Sequence, residues 1–354
     1  MNVVIRTDAS VQIGSGHVMR CLTLASQLRG KGARVSFVCR ELTGNLCSLA
    51  EEKGFRVYRL PYSESLSGDN MWEADAEQTA AVLKRAGNIG WLILDHYALD
   101  SRWESQMRPN VKNIMVIDDM ADRPHDCDLL LDQNLSKNME TRYEGLVPVH
   151  CRKLLGPRYA LLRPEFREAR KHLRERGGSV RRILVFFGGS DPTNETAKAL
   201  EAIRRLNRPD IAVDVVVGGA NPHKEQIKQL CSVMPSTTFY CQVDNMAELM
   251  ARADLAIGAG GTATLERCFL GLPSIVLVVA QNQYETAAAV ADAGALWVLG
   301  WFHEVSVERI QQAVARAVGS PEALREMGKK AVELMGNHQY DVLQALMEVS
   351  HAGD

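Results

Sequence analysis

Two glycine-rich turns, one in each half of this 354-residue chain, hold the residues best suited to chemistry. The first runs Arg6-Thr7-Asp8-Ala9-Ser10 and then Gly14-Ser15-Gly16-His17-Val18-Met19-Arg20. The second runs Ile257-Gly258-Ala259-Gly260-Gly261-Thr262-Ala263-Thr264-Leu265-Glu266. Each follows an apolar, strand-like run and opens a helical pattern. The first N–H groups of a helix lack intrahelical acceptors and the dipole is positive there, so such turns suit anions, phosphates above all. Glycine lets the backbone come close to the ligand. A pair of such turns points to a phosphate-bearing substrate held between two lobes.

His17 falls at the start of a helix, and two readings of it stay open. Imidazole exchanges a proton near neutral pH, and the positive end of a helix favours its neutral, proton-accepting form, which suits a base that activates water. The other reading is a histidine that only tightens the turn. If His17 is the base, Asp8 is the carboxylate expected to orient it, as in other pairs of base and orienter. Gly14-x-Gly16 also begins a dinucleotide fingerprint, but Met19 stands where the third glycine belongs and Gly14 lies far beyond the strand end at Thr7. Nicotinamide and flavin cofactors are therefore not expected.

In the second turn, Gly260, Gly261 and Thr262 would present N–H groups and a hydroxyl to a diphosphate. Glu266, one helical turn on, would accept hydrogen bonds from a ribose diol. The alternative is a capping loop followed by a solvated glutamate. Gln281-Asn282-Gln283 either reads sugar hydroxyls or phosphate, or begins the next helix. A third turn, Gly188-Gly189-Ser190-Asp191-Pro192, ends a strand and could line a cleft, although Asp191 before Pro192 is also a good helix cap. Asp95-His96-Tyr97 ends another strand, and His96 or Tyr97 either contacts the sugar or forms a satisfied core pair. Asp126-Cys127-Asp128 matches a D-x-D metal motif but sits at the entry of a strand, where loop carboxylates are common, so no metal is expected.

Short β-branched runs alternate with amphipathic helices throughout, which implies α/β architecture with parallel sheets covered on both faces. Strands are expected near residues 2–6, 34–39, 56–60, 91–95, 113–118 and 128–131, and a second series near 182–187, 212–217, 237–240, 254–257, 274–279 and 296–298. Gly156-Pro157-Arg158-Tyr159 and a charged helix over 164–176 break the pattern. The reading is two Rossmann-like domains, 1–160 and 177–335, with a final helix over about 336–354 that packs back on the first.

With 41 basic and 43 acidic residues the chain lacks the charge imbalance of a general nucleic-acid binder. Its eight cysteines form no C-x-x-C pair, which fits a reducing compartment. The first residues enter a strand with no secretion signal, and the longest apolar run, 275–280, is far short of a membrane span. A cytoplasmic monomer that inserts in no membrane is the expectation.

Together the motifs resemble the bacterial UDP-sugar hydrolases of the pseudaminic acid pathway, in the GT-B superfamily beside the lipid II-forming N-acetylglucosaminyltransferase. The resemblance rests on Arg6-x-Asp8-Ala9-Ser10, Ile13-Gly14-x-Gly16-His17-x-Met19-Arg20-Cys21, Asp95-x-Tyr97, Gly188-Gly189-Ser190-Asp191-Pro192 and Gly258-Ala259-Gly260-Gly261-Thr262-x-x-x-Glu266. It implies a GT-B fold and metal-independent, cofactor-free, inverting hydrolysis of UDP-2,4-diacetamido-2,4,6-trideoxy-β-L-altrose to UDP and free sugar. The family's catalytic histidine falls on His17, its UDP-binding helix start on Gly260, Gly261 and Thr262, and its ribose contact on Glu266. The expected site is thus His17 and Asp8 for catalysis, with Arg6, Gly14, Gly16, Asp95, Tyr97, Gly188, Gly189, Ser190, Gly260, Gly261, Thr262, Glu266 and Gln283 binding substrate. Rival readings are a glycosyltransferase on the same fold, a non-catalytic nucleotide-sugar sensor and an NAD(P)-dependent oxidoreductase.

Overall fold

The computed structural model describes residues 1–62, 71–336 and 342–352. The chain resolves into two units, one of Met1–Asn134, Asn138–Leu161 and Asn337–Asp354, the other of Leu135–Lys137 and Leu162–Gly336.

In the first unit, β1 (Asn2–Thr7), β2 (Arg34–Arg40), β3 (Arg56–Leu60), β4 (Ile89–Asp95), β5 (Val111–Ile117), β6 (Leu129–Asp132) and β7 (Arg152–Leu155) form one parallel sheet in the order β3-β2-β1-β4-β5-β6-β7. Helices α1 (Gly16–Gly30), α2 (Cys47–Glu52), α3 (Met71–Ala86) and α4 (Ser101–Met107) connect the strands. The inner strands bury side chains on both faces, so they read as continuous apolar runs such as Trp91-Leu92-Ile93-Leu94, all buried. Strand order reverses between β1 and β4, whose last residues, Thr7 and Asp95, are paired in register. Ligands of such sheets sit beyond the carboxyl ends of the strands at this switch. The reversal therefore brings the turn that follows Thr7 beside the segment that follows Asp95.

The second unit repeats the plan. It opens with α5 (Pro164–Lys171), and β8 (Arg182–Phe186), β9 (Ala212–Val217), β10 (Thr237–Cys241), β11 (Leu255–Ala259), β12 (Ser274–Val278) and β13 (Trp297–Trp301) form a parallel sheet in the order β10-β9-β8-β11-β12-β13. Its helices are α6 (Glu195–Leu206), α7 (Lys224–Val233), α8 (Met246–Arg252), α9 (Ala263–Phe269), α10 (Tyr284–Asp292), α11 (Val307–Gly319) and α12 (Pro321–Met335). The reversal lies between β8 and β11, where Phe186 pairs with Gly258, so the Gly188 and Gly258 turns are neighbours. A last helix, α13 (Val342–Ala352), returns to the first unit, where Val342, Leu343, Ala345 and Leu346 join the core of Val3, Ile5 and Phe37. Of the expected terminal helix, residues 337–341 and 353–354 lie outside the described residues.

Three details differ from the sequence reading. The edge strand β7 was not expected, because Arg152 and Lys153 interrupt its apolar pattern; an edge strand has one neighbour and tolerates charge. The second unit begins at Leu162 rather than 177, and its opening segment is tied down. Arg176 donates to the carbonyls of Met250, Ala253 and Leu270, and Arg174 to that of Arg252. Finally, α6 starts at Glu195 with Asn194 as its cap, while the Asp191 carboxylate reaches on to the N–H groups of Glu195 and Thr196.

Candidate active site

The turn after β1 closes on itself before α1 begins. Gly14 N–H donates to Ser10 O (2.8 Å), and the Ser10 hydroxyl accepts from the N–H groups of Gln12 and Ile13. Gly14 has φ +81°, a conformation that costs other residues strain, although a side chain there would meet open space. Gly16 then opens α1 and places His17 one residue inside it.

The His17 ring is 7% exposed and its Nδ1 lies 2.5 Å from Asp95 Oδ1. Arg20 Nη2 also approaches Nδ1 (3.2 Å); because a carboxylate only accepts, the neutral ring that pairs with Asp95 carries its proton on Nδ1 and leaves its lone pair on Nε2, which has no partner among the described residues. Tyr97 packs edge-on against the ring, centroids 4.5 Å apart, and its hydroxyl donates to Asp119 Oδ1 (2.7 Å). Asp95 is itself clamped: Arg20 donates from Nε (2.6 Å) and Nη2 (2.8 Å) to its two oxygens, and Cys21 Sγ adds a third contact (3.3 Å). Burial alone would push the Asp95 carboxyl up, but Arg20 and His17 outweigh it and hold the group well below the usual carboxylate range.

Asp8 does not orient His17. Its carboxylate accepts from Arg6 Nη1 (2.6 Å), Arg6 Nη2 (2.8 Å) and the Arg40 N–H (2.7 Å). Burial raises the Asp8 carboxyl, and Arg6 and His96 overcome this to hold it low. Two of the expected substrate contacts are likewise committed elsewhere. Arg6 is fully buried and spends its donors on Asp8, Asp75 and the Val38 carbonyl. Asp95 spends its oxygens on His17, Arg20 and Cys21. His96 accepts from the Ala98 N–H at Nδ1 (3.1 Å) and turns Nε2 to Asp8 Oδ2 (3.3 Å), so both ring nitrogens are engaged.

A cavity of about 220 Å³ opens beside this network within the first unit. The charged groups of Arg6, Asp8, Arg40, Asp75 and Asp95 line it with His17, His96 and Tyr97, and Ile13, Leu42, Tyr62, Met71, Ala98 and Leu99 supply its apolar side chains. Asp126 and Asp128 lie elsewhere, paired with Arg108 at 2.9 and 2.6 Å. Among the described residues no group of three or more His, Cys, Asp or Glu side chains is placed to hold a metal ion.

In the second unit the Gly258 turn leaves two of the three expected N–H groups open among the described residues, those of Gly261 and Thr262, together with that of Ala263, but not that of Gly260. That of Gly260 is taken by Gln283 Oε1 (3.1 Å), which also accepts from the Val279 N–H (3.2 Å). Gln283 therefore braces the turn against the segment after β12. Glu266 Oε1 is held by Arg163 at 3.0 Å, while Oε2 keeps no donor among the described residues. Burial raises the Glu266 carboxyl, with Arg163 opposing. Gly188 (φ +98°) and Gly189 form the adjacent turn, so close to β9 that a Cβ on Gly218 would meet Gly189 O at 2.1 Å.

Sequence reasoning missed Arg20 and Arg163. Arg20 had a usable signal: three residues after His17 on one helix, it shares the same face. Arg163 is far from Glu266 in sequence and had none.

Residues 183–353 match the glycosyltransferase family 28 C-terminal domain. The chain is similar to the UDP-2,4-diacetamido-2,4,6-trideoxy-beta-L-altropyranose hydrolase of Campylobacter jejuni, at 29% identity over 83% of this chain and 97% of that protein. It is also similar to the uncharacterized protein MJ1062 of Methanocaldococcus jannaschii, at 28% identity over 80% of this chain, and spans 57% of that relative's length. Among solved structures, MurG of Acinetobacter baumannii matches with TM-score 0.66 and 14% identity, covering 99% of this chain and 98% of that one. Arabidopsis thaliana UGT89C1 complexed with UDP matches with TM-score 0.67 and 14% identity, covering 99% of each. With its two Rossmann-like parallel-sheet units, the chain has the GT-B fold.

Proposed function

We propose that this protein hydrolyses a UDP-activated 2,4-diacetamido-2,4,6-trideoxy sugar, the β-L-altrose form by analogy with the Campylobacter relative, releasing UDP and the free sugar with inversion. The observation that carries the reading is the His17–Asp95 pair. A neutral imidazole held through Nδ1, with its Nε2 lone pair unspent beside a cavity, is what a general base for water requires. Water attacks C1 as its proton passes to Nε2, and the electron pair of the C1–O bond leaves with UDP. Asp95 fixes the ring and stabilises the imidazolium that forms. The N–H groups of residues 261–263 hold the diphosphate and Glu266 Oε2 receives the ribose diol, so charge developing on the leaving group is met by fixed donors. On this reading the reaction needs neither metal nor cofactor.

The cavity supports the choice of sugar. Its apolar side chains suit a methyl group at C6 and acetamido methyls better than the hydroxyls of an ordinary hexose. The glycosyltransferase alternative replaces water by an acceptor hydroxyl, and fold does not separate the two. The test is to incubate purified protein with UDP-2,4-diacetamido-2,4,6-trideoxy-β-L-altrose and a chelator, following UDP release and the first anomer by NMR. Release without any acceptor, abolished in His17→Asn while UDP affinity stays nearly intact, is the expected result. Turnover that requires an acceptor, or near-normal activity in His17→Asn, would refute the reading.

A further inference from the structure

Arg267, on α9 beneath the Gly258 turn, is 2% exposed and has no role in the scheme above. Its Nη2 donates to the Ala259 carbonyl (2.8 Å) and to Thr264 Oγ1 (3.0 Å), while its buried Nε has no acceptor among the described residues. Among the described residues no carboxylate pairs with it, since the adjacent Glu266 turns to Arg163. The backbone is shaped around the guanidinium: a Cβ on Gly258 would come within 3.1 Å of Nη1 and 2.2 Å of Phe186 O. Burial pushes the group down to about 10, with Cys268 and Glu266 offsetting this in part, so it is still a cation at neutral pH. A cation taken out of water without a counter-ion is costly, and the other buried arginines here are all paired with carboxylates, Arg6 and Arg20 with two each and Arg40 with Asp75. Among the described residues Arg267 has only neutral acceptors, and it lies against the turn whose next three N–H groups find no acceptor there.

We propose that Arg267 is a positioning residue for a nucleoside diphosphate at the Gly258–Thr262 turn. It ties the Ala259 carbonyl to the inner side of the turn, leaving the N–H groups of residues 261–263 for phosphate oxygens. Its charge, which Glu266 offsets only in part and no carboxylate pairs directly among the described residues, is matched by the diphosphate. The inference rests on the reading of this turn as the UDP site. Phosphate charge is the quantity it concerns, so a ligand without phosphate is indifferent to it.

The experiment measures affinity for UDP by calorimetry and for uridine by ligand-observed NMR, in the parent and in Arg267→Lys, Arg267→Gln and Arg267→Met. Gln keeps hydrogen-bond donors without charge, and Lys keeps charge. Neutral variants should bind UDP at least about tenfold more weakly, Lys should retain most of the affinity, and uridine binding should not change. If Met fails to fold, the comparison of Lys with Gln, each checked by its thermal melt, decides alone. Equal UDP affinity in Lys and Gln, or parallel loss of UDP and uridine, overturns the proposal while leaving the UDP site standing. A parent that binds no UDP refutes the site and the inference together.

Discussion

At the scale of single residues, the network around His17 separates orientation from charge. Asp95 fixes the ring through Nδ1, yet its own negative charge is already shared with Arg20, which contacts both carboxylate oxygens. Asp95→Asn keeps the shape and removes the obligate acceptor, so the amide can offer an N–H where the ring needs an oxygen and favour the wrong tautomer. The expected loss in kcat is on the order of 10²- to 10⁴-fold with UDP affinity unchanged. Arg20 loses a buried partner at the same time, which lowers stability by about 3 kcal/mol in a denaturant titration. A variant that turns over normally would show that Asp95 is only structural. The sequence placed Asp95 at a strand end but favoured Asp8, two residues after Arg6, as the orienter. What it could not reveal is that Arg6 claims Asp8 for a closed network with Asp75 and Arg40, since Asp75 reaches that network from α3, far along the chain.

At the scale of elements, strand period and helix period agreed with the fold wherever a strand was central. The misses lie where another constraint overrides the pattern: the charged edge strand β7, and the start of α6, where Asn194 in a left-handed conformation (φ 60°) displaces Asp191 as the cap. The acidic residues at the ends of β5 and β6 carry no signal of burial in the sequence. Asp132 is fully buried, accepting from the Asn134 N–H (3.0 Å) and the Tyr143 hydroxyl (3.2 Å) and facing Arg142 at 3.1 Å. Burial pushes its carboxyl up to about 7; Arg142 and the Asn134 N–H oppose this, and Asp119 and Asp118 add to it. A folded value above the unfolded one, near 4, means that its stabilising share is complete below about pH 4 and disappears as pH rises through 7. Stability should fall by up to about 3 kcal/mol between pH 5 and 8.5 from this group. Asp132→Asn should flatten that decline and be the more stable protein at pH 8.5 in urea unfolding. Parallel slopes in the two proteins would remove Asp132 as the cause. Asp8, Asp75 and Asp95, held low by arginines despite burial, work in a separate window: their contribution is complete above about pH 4 and lost only as pH falls below it.

For the whole molecule, the chain leaves the first unit at Leu161, builds the second, and returns after Gly336, so α13 completes a core whose other strands were made some 200 residues earlier. Each unit has its own buried cluster, which makes the chain's last helix a support for β1 and the His17 site and not for the Gly258 turn. The anchor is apolar: Leu346 and Ala345 are fully buried, whereas the Arg152–Glu348 pair at 2.5 Å is solvent-exposed and adds little. Leu346→Ala leaves a cavity in the first core and should cost about 2–4 kcal/mol. Because the loss belongs to one unit, hydrogen exchange followed peptide by peptide should accelerate in β1, β2 and β4 and stay unchanged across β8 to β13, with UDP affinity preserved. Uniform acceleration through both sheets would mean that the two cores unfold as one, and the assignment of α13 to the first unit alone would fail.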